Sequence, residues 1–153
     1  MNVLITNRQT SQKISLTQLK KKARVILSAL GSRDDYELSI TIVNDVEIES
    51  LNRDYLNRDG PTNVISFPMC DGDFSEISPH LLGDVVISID TAIREGEHAG
   101  IKTDERLSQL LVHGILHLFG YDHDTSPNEE KKMTTKSIEL LRLIENNTEL
   151  DYF

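Results

Sequence analysis

From Leu110 to Phe119 the only polar side chains are two histidines, His113 and His117. A helix apolar around nearly its whole circumference belongs in the middle of a domain. Positions 113 and 117 are one turn apart, so both imidazoles emerge from the same helix face and can reach one point. Gly120 can take the left-handed conformation that ends a helix and reverses the chain. That reversal brings His123 back towards the same point. Three imidazole nitrogens with an open fourth position are the ligand set of a catalytic zinc site.

Separate core histidines, each satisfied by its own hydrogen bond, are the simpler reading of any one of them. Two imidazoles facing each other on a buried helix need a shared partner, and a cation is the simplest. A purely structural zinc is the other metal reading, although three histidines without cysteine are more typical of catalysis. His80 and His98 lie outside the pattern. Asp122 and Asp124 flank the third histidine and can orient an imidazole from behind; Asp122 can equally cap the turn. Asp84, at the start of a strand, is a further candidate for that supporting role.

The same spacing, H-x3-H-x2-G-x2-H, occurs in metzincin proteases, which place a glutamate directly after the first histidine as general base. Here that position is Gly114. A metalloprotease is therefore the disfavoured alternative. Glycine at 114 allows either a substrate or a neighbouring strand to approach the helix closely.

The remaining chain reads as one α+β domain over residues 1–153, a small mixed sheet packed with helices around the central metal-bearing helix, zincin-like. Ser15-Leu16-Thr17-Gln18 is a capping box, Ile14 can staple onto Leu19, and apolar residues recur at helical spacing to Leu30, with Gly31 as the stop. Glu37 to Val43 alternates as a strand with one buried face. Asn44-Asp45 can cap a short helix carrying Ile48, Leu51 and Tyr55, which Asp59-Gly60-Pro61 breaks. Asn63 to Pro68 is a second strand, with Pro68 suggesting a sheet edge. Residues 69–82 read as an exposed loop and Gly83 to Ile89 as a third strand. Asp90 is expected to cap a helix ending near Gly100, and Thr103 to cap the histidine-bearing helix. Ser126-Pro127-Asn128-Glu129 opens a final helix.

Composition narrows the class. A lone cysteine, Cys70, leaves no intrachain disulfide and fits a reducing compartment. No apolar run approaches the ~20 residues of a membrane span, and the first residues lack a signal-peptide pattern. Cytoplasmic is the expected location. The net charge is −9, yet the first 33 residues carry seven Lys or Arg and no Asp or Glu, leaving the rest at −16. Lys20, Lys21 and Arg24 are either a patch that steers a polyanion or an ordinary solvated helix face.

His113-Gly114-Ile115-Leu116-His117-Leu118-Phe119-Gly120-Tyr121-Asp122-His123 resembles the H-G-x-L-H-L-x-G-Y-D-H signature of the YbeY family of endoribonucleases. Pro61 to Pro68 and Leu82 to Ser88 resemble two further stretches of that family in the same order. The resemblance implies a zinc-dependent hydrolase specific for single-stranded RNA, acting in 16S rRNA 3′-end maturation and ribosome quality control, with His113, His117 and His123 as ligands. A non-catalytic ribosome-binding factor with structural zinc is a third reading. Many members carry a catalytic arginine directly after the tyrosine of Leu-Asn-x-x-Tyr; here Leu51-Asn52-Arg53-Asp54-Tyr55 is followed by Leu56. Arg58 is the nearest downstream cation and the candidate to contact phosphate in its place, or is simply a loop arginine before a turn.

Overall fold

Among the described residues, four strands and five helices are arranged so that one helix reaches the centre. The computed structural model describes residues 1–69 and 80–150. The strands are β1 (Asn2–Asn7), β2 (Glu37–Val43), β3 (Val64–Pro68) and β4 (Leu81–Ser88), in the sheet order β1-β2-β4-β3. β1 pairs with β2 and β2 with β4 in parallel, while β3 runs antiparallel to β4 along one edge. The sheet is therefore mixed, as expected, and Pro68 does lie on an edge strand. β1 has no counterpart in the sequence reading. The expected loop over 69–82 falls largely outside the described residues, and its last two, Leu81 and Leu82, already belong to β4.

The helices are α1 (Leu16–Ala29), α2 (Asp45–Leu56), α3 (Ile89–Ala99), α4 (Thr103–Leu118) and α5 (Pro127–Ile144). α1 opens as read: the Gln18 N–H donates to Ser15 Oγ at 3.3 Å. Lys21 and Arg24 are exposed and Lys20 is half-buried. Lys22 instead turns inward and donates to Ser108 Oγ and Glu145 Oε1, at 2.8 and 3.1 Å, joining α1 to α4 and α5.

Two expected caps are corrected. Ser88 caps α3, its hydroxyl accepting from the Thr91 N–H at 3.3 Å. The last residue of β4 thus begins the helix without a linker, and Asp90 falls inside the first turn. There it accepts from the Ser11 hydroxyl, from Asn44 Nδ2 at 3.1 Å and from the Asp45 N–H at 2.9 Å. The cap of α4 is Lys102, with no side-chain bond, and Thr103 is the first helical residue. α5 starts as read, Ser126 Oγ accepting from the Glu129 N–H at 3.1 Å.

The core is aliphatic. Leu107, Leu111, Val112, Ile115 and Leu116 of α4 are 0–1% exposed and pack with Ile26, Leu27, Ile40, Val85 and Ile87. Burying a side chain of this size stabilises the fold by ~1.5–3 kcal/mol, so this helix is anchored on almost every side. α2 covers the other face of the sheet through Ile48 and Leu51, against Val43, Ile65 and Val86. Tyr55, read as part of its apolar face, is 70% exposed and meets only the edge of the Phe67 ring.

Candidate metal centre

The three histidines converge. His113 and His117 leave α4 one turn apart with their Nε2 atoms 3.0 Å from each other. Gly120 takes φ +90°, and the chain turns back with the Tyr121 N–H bonded to the Leu116 carbonyl at 3.1 Å. His123 then stands over the other two, with ring centroids 5.3 Å from His113 and 5.5 Å from His117. One nitrogen from each ring lies within 4.8 Å of the others.

This donor set fits a divalent cation. Two nitrogens each ~2.05 Å from a tetrahedral ion sit about 3.3 Å apart, close to the separation observed for His113 and His117. Burial pushes the His113 pKa down to about 4, assisted by repulsion from His117, His123 and the Arg106 guanidinium. Burial and the neighbouring His123 lower His117 as well. Both rings are thereby held neutral, the form that donates a lone pair to a metal.

Beside His123, Asp122 caps the turn: its carboxylate accepts from the Asp124 N–H at 3.0 Å. Asp124 Oδ1 lies 3.3 Å from His123 Nε2. Asp84 does not support the site. Its neighbour Val85 faces α4, and strand alternation turns Asp84 to the α2 side, where it lines a groove with Arg8, Glu47 and Phe67.

Gly114 answers the question of close approach. A Cβ there would lie 2.7 Å from Val85 Cγ1, 3.1 Å from Val64 Cγ2 and 3.4 Å from Ser66 Oγ. The neighbour is the sheet. A glutamate at the position that metzincins use for their general base would have to displace Val85 of the sheet, so packing as well as sequence counts against the protease reading.

Arg58 lies just past α2 in an exposed turn, its backbone N–H donating to the Asn52 carbonyl at 3.2 Å. Its side chain forms no hydrogen bond or ion pair with the described residues. His98 lines a hollow between α3 and α4, with Arg94, Glu95 and Arg106, apart from the histidine triad. Ser66 and Arg106 are the contributors the sequence reading passed over. Ser66 lies inside a matched stretch, and Arg106 is seven residues before His113 on the same helix face.

A family model described as Endoribonuclease YbeY matches residues 4–145. A Geobacter sulfurreducens protein named Endoribonuclease YbeY is 52% identical over 147 residues, covering 95% of this chain and 97% of its own. An Aquifex aeolicus protein of the same name is 46% identical over 121 residues, covering 79% and 78%. The solution structure of TM1509 from Thermotoga maritima shares the fold with a TM-score of 0.64 at 21% identity, covering 94% of this chain and 90% of that one. With the histidine geometry and these matches together, the chain belongs to the endoribonuclease YbeY family.

Proposed function

We propose that this chain is a zinc-dependent endoribonuclease specific for single-stranded RNA, working in the cytoplasm on 16S rRNA 3′-end maturation and in ribosome quality control. The observation that carries the reading is the convergence of three imidazole nitrogens within 4.8 Å on a chain whose relatives are named endoribonucleases. A zinc ion bound there supplies Lewis acidity, which polarises a phosphoryl oxygen and lowers the pKa of a water molecule.

The protein's own residues do the rest. His113 and His117, neutral because they are buried and mutually repelling, hold their lone pairs ready without first losing a proton. Asp122 keeps the turn that presents His123. Arg58, exposed and unengaged among the described residues, contacts the scissile phosphate and stabilises its developing charge. The site offers no carboxylate in the position of a metzincin base, so turnover is expected to be modest.

Purified protein should cleave a single-stranded oligoribonucleotide, and His113→Ala or a chelator should abolish the cleavage. Undiminished cleavage by His113→Ala would assign the activity to a contaminant and leave a non-catalytic ribosome-binding factor as the better reading. Arg58→Ala should lower kcat with metal content unchanged.

A further inference from the structure

The chain leaves the metal motif through Tyr121, and that residue is also one wall of a groove of about 440 Å3 along α5. Asn128, Lys131, Lys132, Lys136 and Glu139 line it with Tyr121. Three lysines stand against Glu139 in the lining and Glu129, which pairs with Lys132, leaving a local excess of one positive charge on a chain of net charge −9. The groove under α2 sets Arg8 against Glu47 and Asp84, and the one between α3 and α4 has Arg106 engaged by Glu95 at 3.0 Å.

The α5 lysines are available. Lys131 is exposed and has no hydrogen-bond or ion-pair partner among the described residues. Lys132 meets Glu129 at 3.3 Å with side chains 61% and 42% exposed. Lys136 meets Glu139 at 3.0 Å, with side chains 27% and 64% exposed, so this pair is partly covered. An exposed pair such as Lys132 with Glu129 holds weakly and exchanges readily for a phosphate. Lys132 and Lys136 are one turn apart, about 6 Å along the helix axis, so they can serve neighbouring phosphates of one extended strand. Tyr121 is half-buried and packed against the core, which makes it a fixed aromatic surface. Cations that track a backbone beside an aromatic side chain are the usual means of holding single-stranded nucleic acid.

We infer that the groove formed by Tyr121, Lys131, Lys132 and Lys136 is a binding track for the single-stranded RNA that flanks the cleaved bond. The inference rests on the endoribonuclease reading above and adds to it where the substrate lies: along α5, entering or leaving the metal centre past Tyr121.

The test uses the full chain stripped of metal with a chelator, so that the probe stays intact, and a fluorescein-labelled single-stranded RNA 12-mer read by anisotropy across a salt series. The triple variant Lys131→Gln, Lys132→Gln, Lys136→Gln should bind at least about tenfold more weakly near 0.1 M salt. Its slope of log affinity against log salt should be shallower by about 2, since each lysine–phosphate contact on a single strand contributes ~0.7. The variant should keep a near-wild-type melting temperature and zinc stoichiometry, because Lys131 and Lys132 are exposed and glutamine retains most of the stem of the half-buried Lys136. Equal affinity and slope in variant and wild type, with wild-type RNA cleavage intact, would overturn the track and leave the enzymatic reading standing. Weakened binding in the variant, with no metal-dependent cleavage by wild type, would retain the track and overturn the enzyme. An acidic peptide that loses affinity for the variant while the RNA does not would assign the groove to a protein partner and overturn the proposal.

Discussion

The hydroxyl of Ser66 donates a 2.7 Å hydrogen bond to the carbonyl of Gly114, stitching the edge strand β3 to the helix that carries two of the three histidines. The two residues sit 48 positions apart in the chain. The bond is short because residue 114 has no side chain to hold the strand away.

Replacing Gly114 by Ala therefore sets two effects against each other. Alanine gains about 1 kcal/mol over glycine in a helix interior. Its methyl would lie 2.7 Å from a methyl of Val85, which is fully buried and has little room to yield, and overpacking of that kind costs roughly 1–3 kcal/mol. The clash should win, with thermal melting of Gly114→Ala below wild type. A variant as stable as wild type would show that the strand moves freely away from the helix.

Ser66→Ala isolates the bond from the packing. The lost hydrogen bond is worth about 1 kcal/mol, or a fall of ~2–4 °C in melting temperature for a chain of this size. Because the carbonyl belongs to the helix between the two ligands, zinc affinity should fall as well. A competitive chelator titration measures it, and an unchanged zinc constant would confine Ser66 to a stability role.

Acid should unfold the metal-free protein in two stages. His113 is held at about 4 in the folded chain, against an ordinary value of 6.5. As pH falls below about 6.5 the unfolded chain takes up a proton that the folded chain refuses, so stability is lost progressively down to about pH 4. The second stage involves Asp45 and Asp90. Burial opposes ionisation of Asp45, but hydrogen bonds from Ser88, Thr91 and Arg94 outweigh it and hold the carboxyl below its usual range. The Ser11 hydroxyl, helped by the Asp45 N–H and Asn44, does the same for Asp90. Depressed carboxylates stabilise above their ordinary pKa and lose that contribution as pH drops through the folded value. Melting curves of chelator-treated protein between pH 7.5 and 3 should show both losses, and His113→Gln should reduce the first. A flat profile from pH 7 to 4.5 would contradict the low proton affinity of His113.

Asp122→Ala should weaken zinc binding by about fivefold, the equivalent of the ~1 kcal/mol hydrogen bond to the Asp124 N–H that holds the turn presenting His123. The metal-free melting temperature should hardly move, since the turn is at the surface. If zinc affinity is unchanged while stability falls, Asp122 serves the fold and not the ligand.

Much of this was readable along the chain because it is local. The triad depends on helical spacing plus a helix-ending glycine, and both are written between positions 113 and 123. The starts of α1 and α5 are local too, each set by a serine reaching three residues ahead. β1 was not readable. Asn2-Val3-Leu4-Ile5-Thr6-Asn7 lacks strict alternation, only Val3 is fully buried, and the strand exists through its parallel pairing with β2, more than thirty residues away. The start of α3 was misplaced for a related reason: Ser88 ends a strand and caps a helix at once, while Asp90, the better-looking cap, spends its carboxylate on Ser11, Asn44 and Asp45 across the fold. Ser66 and the α5 lysines gain meaning only when α4 and Tyr121, respectively, are brought beside them in space.

The depth at which α4 is embedded has a bearing on how the cation arrives. Leu107, Leu111, Ile115 and Leu116 clamp this helix from the side away from the imidazoles, so its shape is set by oil-like contacts and not by coordination bonds. Under the proposed function, two of the three ligands, His113 and His117, are therefore held in place by the core itself, in contrast to small zinc modules that collapse without their metal. On that same proposal, the identity of the occupant follows from ligand chemistry and supply, and protein without its ion would stay folded but idle.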